Sequence, residues 1–247
     1  MTPVTVGIAV FALMVVLLVL GVPVATTMGF SGMLGLIYLL TLDPALVKLA
    51  VSPVATMNSY SFTVVPLFML MANIIASTGI GKLLYDLFYK MVGRFRGGLA
   101  MATILACGVF AAISSSAPAT SLTIGLIALP EMRHLKYHDQ LSCTSIAAGG
   151  TLGCFIPPSG NLMVYGIMAS QSISKLLIAG IMPGLILIGF YIVVIMVYCR
   201  RNPTAGPAAE KFSGREIWKA FLRCGEVIVL IIIVIGGMFG GIFTPTE

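Results

Sequence analysis

This sequence has little charge. Of 247 residues, 14 are Lys or Arg and 8 are Asp or Glu, together 9%, against about 25% in a typical soluble domain. With 59% apolar residues and a mean hydropathy of +1.08, the chain cannot cover a water-facing surface. The same figures exclude a disordered tail, a collagen-like repeat and a small disulfide scaffold. Histidine occurs only as His134 and His138; their spacing of four could hold a metal, but no third ligand accompanies them, so a solvated turn is expected. The cysteines (Cys107, Cys143, Cys154, Cys199 and Cys224) are odd in number and form no Cys-x-x-Cys pair. They read as buried apolar residues, with neither a disulfide framework nor a transition-metal cluster. A Walker A sequence is also missing, which excludes ATP hydrolysis by that route.

The charges that exist sit in short islands. Residues 1–42, 49–81, 97–130, 140–174, 176–199 and 227–246 carry none. A helix needs about 20 apolar residues to cross the ~30 Å hydrocarbon core, so 176–199 and 227–246 each suit one crossing. The first stretch suits two, turning near Gly21-Val22-Pro23. Its N-terminus lacks a basic n-region and a small-residue cleavage site, so it is expected to stay as an anchor. The stretch 49–81 is expected to be one long span, kinked or tilted at Pro66. The period-2 alternation of a membrane barrel is absent, so the spans are helical. The net charge of +6 flanks these stretches, which points to topology rather than to a nucleic-acid partner.

Counting crossings locates a reversal. The basic islands Lys82–Arg96 and Arg200–Arg223 both belong on the cytoplasmic side, and three simple crossings between them would put the second outside. Residues 97–130 hold Ser114-Ser115-Ser116-Ala117-Pro118-Ala119-Thr120 near their centre, a run of turn formers and helix breakers. The arms on either side span about 20 to 25 Å at 1.5 Å per residue, short of a full crossing. A re-entrant helical hairpin is expected there, its turn near mid-membrane and surrounded by protein or a wet cavity. Residues 140–174 then cross once, interrupted at Gly153-Cys154-Phe155-Ile156-Pro157-Pro158-Ser159-Gly160-Asn161. Proline cannot donate to a helix ladder, so Pro118 is expected to free the Ser114 carbonyl, and Pro157 and Pro158 those of Gly153 and Cys154. The run Gly149-Gly150-Thr151-Leu152-Gly153 permits close approach of another backbone, for which the hairpin tip is the natural occupant. By this parity Lys90 and His134 lie in the cytoplasm, and Lys175, Asp43, Lys48 and the N-terminus outside.

The island after Arg200 is longer than a turn. Phe212, Trp218, Phe221 and Leu222 can share one face while Lys211, Arg215, Lys219 and Arg223 repeat every four residues, the pattern of an interfacial helix over 211–224 held against membrane lipid. Residues 82–96, with Leu84, Leu87, Phe88 and Met91, resemble a second. The chain therefore divides into scaffold helices (1–96), a hairpin-and-broken-helix element (97–174) and a closing part (175–247).

Inside the spans there is no Asp, Glu, Lys, Arg or His. An intramembrane metalloprotease, a Ser-His hydrolase and a carboxylate proton relay all lack their residues, and no enzymatic activity is expected. Neutral oxygen remains: Ser114, Ser115, Ser116, Thr120, Thr151 and Ser159 hydroxyls, the Asn161 amide and freed carbonyls. A lone Ser in a helix usually bonds its own backbone. Three serines beside a proline, facing a double-proline break, instead suit a hard monovalent cation such as Na⁺, as in transporters that bind ions at unwound helices. Asn58, Asn73 and Ser77 fit helix packing better.

At these residues the sequence resembles the large membrane subunit of tripartite ATP-independent periplasmic (TRAP) transporters. The likeness lies in Val65-Pro66-Leu67-Phe68 with Ser77-Thr78-Gly79, in Phe110 through Thr120, in Gly149–Gly153 with Ile156-Pro157-Pro158-Ser159, in Ala179-Gly180-Ile181-Met182-Pro183-Gly184, and in Gly240 through Glu247. The resemblance implies an all-α, multi-pass integral protein of the bacterial inner membrane, with an elevator-type fold of two inverted repeats. It further implies Na⁺-coupled import of a small carboxylate (a C4-dicarboxylate, sialic acid or similar), delivered by a periplasmic substrate-binding protein, with a small four-helix membrane subunit alongside. Carried over by motif, Ser114, Ser115, Ser116 and Thr120 at the hairpin tip, and Gly153, Ile156 and Pro157 at the break, would hold Na⁺. Ser159 and Asn161 would face substrate. That family continues past Phe243-Thr244-Pro245-Thr246-Glu247 into a second repeat, so this chain is expected to be half of the large subunit. Two other functions compete: an ion-conducting pore, which would conduct without coupling, and a structural membrane subunit, which would tolerate changes at the breaks.

Overall fold

The computed structural model describes residues 3–58, 62, 64–209, 212–237 and 240. Every regular element among them is helical. The chain divides into two units, Met1–Ser59 and Tyr60–Glu247.

In the first unit, α1 (Pro3–Val19) and α2 (Val24–Leu40) flank a turn at Gly21, whose φ of 82° suits a residue without a Cβ. They pack closely where Gly35 faces Val10. Phe11, Val19, Met28 and Tyr38 stay exposed, as expected of helices whose outer faces meet lipid rather than water. Helix α3 (Leu42–Met57) begins directly after Thr41 and runs through Asp43 and Lys48. The expected single span over 49–81 is thus corrected. Asp43 sits in the first turn of α3, where a carboxylate favours the helix N-terminus, so the charged island starts a helix instead of separating two. The next helix, α4 (Val64–Ser77), carries Pro66 in its first turn. A missing N–H there breaks no helix bond and makes no kink.

The second unit is built around α6 (Gly98–Ser114), buried on nearly all sides, with Leu99, Ile104, Cys107, Phe110 and Ile113 fully enclosed. Its neighbours are α5 (Ile80–Val92), α7 (Ala117–His134) and α8 (Asp139–Thr151). Helix α5 buries Leu84, Tyr85 and Leu87 in this core; only Met91 of its expected lipid-facing set is exposed. A short turn of helix at Leu152–Cys154 is followed by α9 (Gly160–Met168) and α10 (Ile173–Arg201). With 29 residues and a mean hydropathy of 2.5 in its most apolar window, α10 is long enough to cross a bilayer alone. Helices α11 (Gly214–Arg223) and α12 (Gly225–Ile231) close the unit, and a wider-wound turn, Ile232–Gly236, continues α12.

Helix α11 is shorter than expected because Ser213 and Glu216 form a reciprocal capping box that fixes its start. Lys211 lies outside the described residues, as do residues 241–247 of the terminal motif. Trp218 and Phe221 stack at 5.7 Å and are exposed with Leu222, while Ala220 faces inward. Phe212 departs from the expected face: it precedes the helix and meets Tyr89 edge-on at 5.3 Å. Cys107, Cys199 and Cys224 are buried as expected, but Cys154 is half-buried and Cys143 is exposed, lying at an open crevice between α7 and α8.

The connection from α10 to α11 straps the base of the α6–α7 pair. The Tyr137 hydroxyl donates to the Pro207 carbonyl at 2.8 Å and accepts from the Leu99 N–H at 3.2 Å. The Gly97 N–H donates to the Gly206 carbonyl and the His138 N–H to that of Ala205. Burial pushes the Tyr137 phenol up to about 12, since the ring's anion would lose its water. Arg133 and Asp139 add an exposed ion pair, 2.9 Å at its shortest, at the same base.

Candidate functional site

Helices α6 and α7 reverse direction in two residues. Ser115 ends α6 with φ 53°, and Ser116 is extended and caps α7, accepting from the Ala119 N–H at 3.4 Å. A positive φ is uncommon outside glycine and is tolerated where surroundings over-determine it. Pro118 falls in the first turn of α7, where proline is favoured. The expectation that Pro118 frees the Ser114 carbonyl is therefore corrected. The two residues belong to different helices, and that carbonyl lacks a donor because α6 terminates.

The tip's hydroxyls divide into committed and uncommitted groups. Thr120, fully buried, donates to the Ser116 carbonyl at 2.9 Å and lies 2.6 Å from the Ser114 hydroxyl. Ser114 and Thr120 thus lock the turn to itself. The Ser115 hydroxyl is buried and has no hydrogen-bond partner, and a buried polar group left unpaired costs ~1–3 kcal/mol.

The break in 140–174 runs from Phe155 to Ser159, between the Leu152–Cys154 turn and α9. The Leu152 carbonyl accepts from both Phe155 and Ile156, ending the helix before the prolines. Ser159, fully buried, donates to the Cys154 carbonyl at 2.8 Å and accepts from the Leu162 N–H at 3.4 Å. Of the two carbonyls expected to be free, that of Cys154 is therefore taken. Asn161 is exposed and donates to the Cys154 sulfur. Thr151 points to α10, pairing with the Tyr191 hydroxyl at 3.0 Å.

Tip and break meet. A Cβ on Gly153 would lie 3.0 Å from the Ala117 nitrogen and 3.1 Å from the Ser116 carbonyl carbon; one on Gly160 would lie 3.4 Å from the Ser115 oxygen. Gly150 is pressed against Ser121 and Ala117, and Gly149 against Cys107. The glycine run after Ala148 does admit the hairpin. Residues 115–117 lie across the interruption, with Gly153 on one side and Gly160 on the other. Ser114, Ser115, Ser116, Thr120, Gly153 and Ser159 are thus gathered in one region.

Residues 11–247 match the family described as the tripartite ATP-independent periplasmic transporter, DctM component. The chain belongs to this family. It is 32% identical to the C4-dicarboxylate TRAP transporter large permease protein DctM of Rhodobacter capsulatus, over 96% of this chain and 56% of that protein. The corresponding protein of Vibrio cholerae is 34% identical, over 96% of this chain and 52% of its own length. The 2,3-diketo-L-gulonate TRAP transporter large permease protein YiaN of Escherichia coli is 31% identical, over 92% of this chain and 53% of its own. The chain spans about half the length of the curated relatives it matches. As a member of this family it is an inner-membrane protein, and membership of a transport family implies that it is not an enzyme.

Helix α10 supplies part of this TRAP chain's site that residue-by-residue reading missed. A Cβ on Gly180 would lie 2.5 Å from the Phe155 carbonyl oxygen, and one on Gly184 would lie 3.0 Å from Ile156. These glycines form a seat for the break. Their four-residue spacing is the small-xxx-small signal of close helix approach. The Tyr137 strap carried no comparable sequence signal.

Proposed function

We propose that this chain carries one cation site of a Na⁺-coupled, binding-protein-dependent importer of a small carboxylate, with the site between the hairpin tip and the break. The observation that carries the proposal is the buried, unpartnered Ser115 hydroxyl at that contact. The donor set fits Na⁺: the Ser115 hydroxyl and the Ser114, Gly153 and Ile156 carbonyls are neutral oxygens, and a divalent ion would call for carboxylates. Ser116 and Pro157 shape the turn and the break, while Ser114 and Thr120 hold the tip rigid. A bound cation would add one positive charge, offset by the oriented dipoles of these neutral oxygens, and would join tip to break.

The wider reading follows. The α6–α7 hairpin is re-entrant, the chain supplies one of two inverted repeats, and hairpin and broken helix move as one body in an elevator cycle. A small four-helix membrane subunit and a periplasmic binding protein complete the system. The relatives named for C4-dicarboxylate and diketogulonate favour a carboxylate substrate, and Asn161, exposed beside the break, is its candidate contact.

Two measurements test this. Thermal unfolding of the purified chain should shift upward with Na⁺ and not with K⁺ at equal ionic strength; no Na⁺-specific shift removes the ion site. Cysteine accessibility at Lys90 and His134 should report the same side of the membrane, and opposite sides would exclude re-entry.

A further inference from the structure

Between α8 and α10 lies an open-sided crevice of about 340 Å³, with the buried Ile104 of α6 at its base. That volume lies within the range of small-ligand pockets. One wall is a single face of α8, presenting Gln140, Thr144 and Ala148; the other is a face of α10, presenting Tyr191, Val194 and Tyr198. At one end the walls are joined by the Thr151–Tyr191 hydroxyl pair. The other end opens at Gln140 and Tyr198, about 10 Å away along α10 at 1.5 Å per residue. One turn further on the same face of α10 stands Arg201, while Arg200, also in the last turn, falls on the opposite side of the helix from Tyr198. Both arginines are exposed, and the ion pairs among the described residues, Lys90–Asp86 and Arg133–Asp139, include neither.

The lining is mostly aliphatic and aromatic, closed at one end and cationic at the other. A small inorganic anion has no apolar part to fill such a slot, and a zwitterionic lipid brings no net charge to the Arg201 guanidinium. Basic pockets between membrane helices on the cytoplasmic side suit anionic phospholipid head groups, and the guanidinium fork matches a phosphate diester. We propose that this crevice binds one anionic phospholipid, with part of an acyl chain between α8 and α10 and its phosphate at Arg201. The chain would touch α8, which leads into the break, and α10, which seats it. The site is independent of the cation reading and stands or falls without it.

Native mass spectrometry of the full chain, released from nanodiscs of mixed phosphatidylglycerol and phosphatidylcholine, tests the proposal. One phosphatidylglycerol per chain should be retained in preference to phosphatidylcholine. Arg201→Gln should weaken phosphatidylglycerol retention about fivefold, the weight of one basic residue at an anionic surface, and leave phosphatidylcholine unchanged. Thr144→Trp, at an exposed position, should fill the slot and expel lipid of either kind while helical circular dichroism is preserved. Equal retention of the two lipids by the unaltered chain, or an Arg201→Gln chain with its preference intact, overturns the proposal. So does a photo-crosslinker placed at Thr144 in native membranes that couples to protein and not to lipid.

Discussion

Substituting Gly153 by Ala probes the contact on which the cation site depends. The new methyl would stand 3.0 Å from the Ala117 nitrogen, 3.1 Å from the Ser116 carbonyl carbon and 3.2 Å from the Ala117 Cα. All three are backbone atoms of the tip, and none can turn aside as a side chain would. Comfortable separations are near 3.5–4.0 Å, so tip and break must part by roughly 0.5 Å. Overpacking of this kind costs about 1–3 kcal/mol, and alanine's helical advantage over glycine returns about 0.5–1 kcal/mol. Net destabilisation is therefore modest, about 0.5–2 kcal/mol. The cation response should suffer more, because its ligands come from both sides of the displaced contact. A 1 Å misplacement costs on the order of a hundredfold in a preorganised site, so half that displacement should raise the half-saturating Na⁺ concentration about tenfold. The assay is thermal unfolding against Na⁺ at constant ionic strength, read through the linkage between ligand occupancy and stability. Gly189→Ala on α10, where a Cβ meets nothing within 4 Å, is the control; it should stabilise slightly and leave the Na⁺ response unchanged. A Gly153→Ala chain with the unaltered half-saturation, or an equal loss in Gly189→Ala, would refute the reasoning.

Ser115→Ala should leave stability without Na⁺ unchanged or raise it by up to about 1 kcal/mol, since it removes an unpaired buried hydroxyl, yet it should abolish the Na⁺-dependent shift. Ser114→Ala should instead cost about 1 kcal/mol at every Na⁺ concentration, because the hydroxyl lost is the one paired with Thr120. Tyr137→Phe should lower the unfolding midpoint by the equivalent of about 1–3 kcal/mol, as the Pro207 carbonyl and the Leu99 N–H lose a buried partner. The phenol's folded value is raised, so its contribution is fully present below the unfolded value near 10 and is lost as pH rises toward about 12. The difference in unfolding midpoint between the unaltered chain and the Tyr137→Phe variant should accordingly shrink across that window, and a constant difference would disprove the burial argument.

Membrane residence, the hairpin turn and the broken helix are all legible in the sequence, because each rests on a local quantity. Charge-free length sets which segments can enter hydrocarbon, and a cluster of serines or prolines stops a helix wherever it occurs. The glycine run at 149–153 announced a close approach for the same reason. Legibility failed where partners come from far along the chain. Nothing local shows that Phe212 turns toward Tyr89. Among the tip's hydroxyls, composition treats Ser114, Ser115 and Ser116 alike. Only the folded chain commits Ser114 to Thr120 and Ser116 to the cap of α7, leaving Ser115 unpaired over the break. The same is true of Ser159, whose hydroxyl takes the Cys154 carbonyl that its neighbouring prolines were expected to free. Sequence by itself determined which oxygens could bind a cation; tertiary structure decided which are still available, because a hydrogen bond already made in a water-poor interior removes a ligand as surely as deleting it.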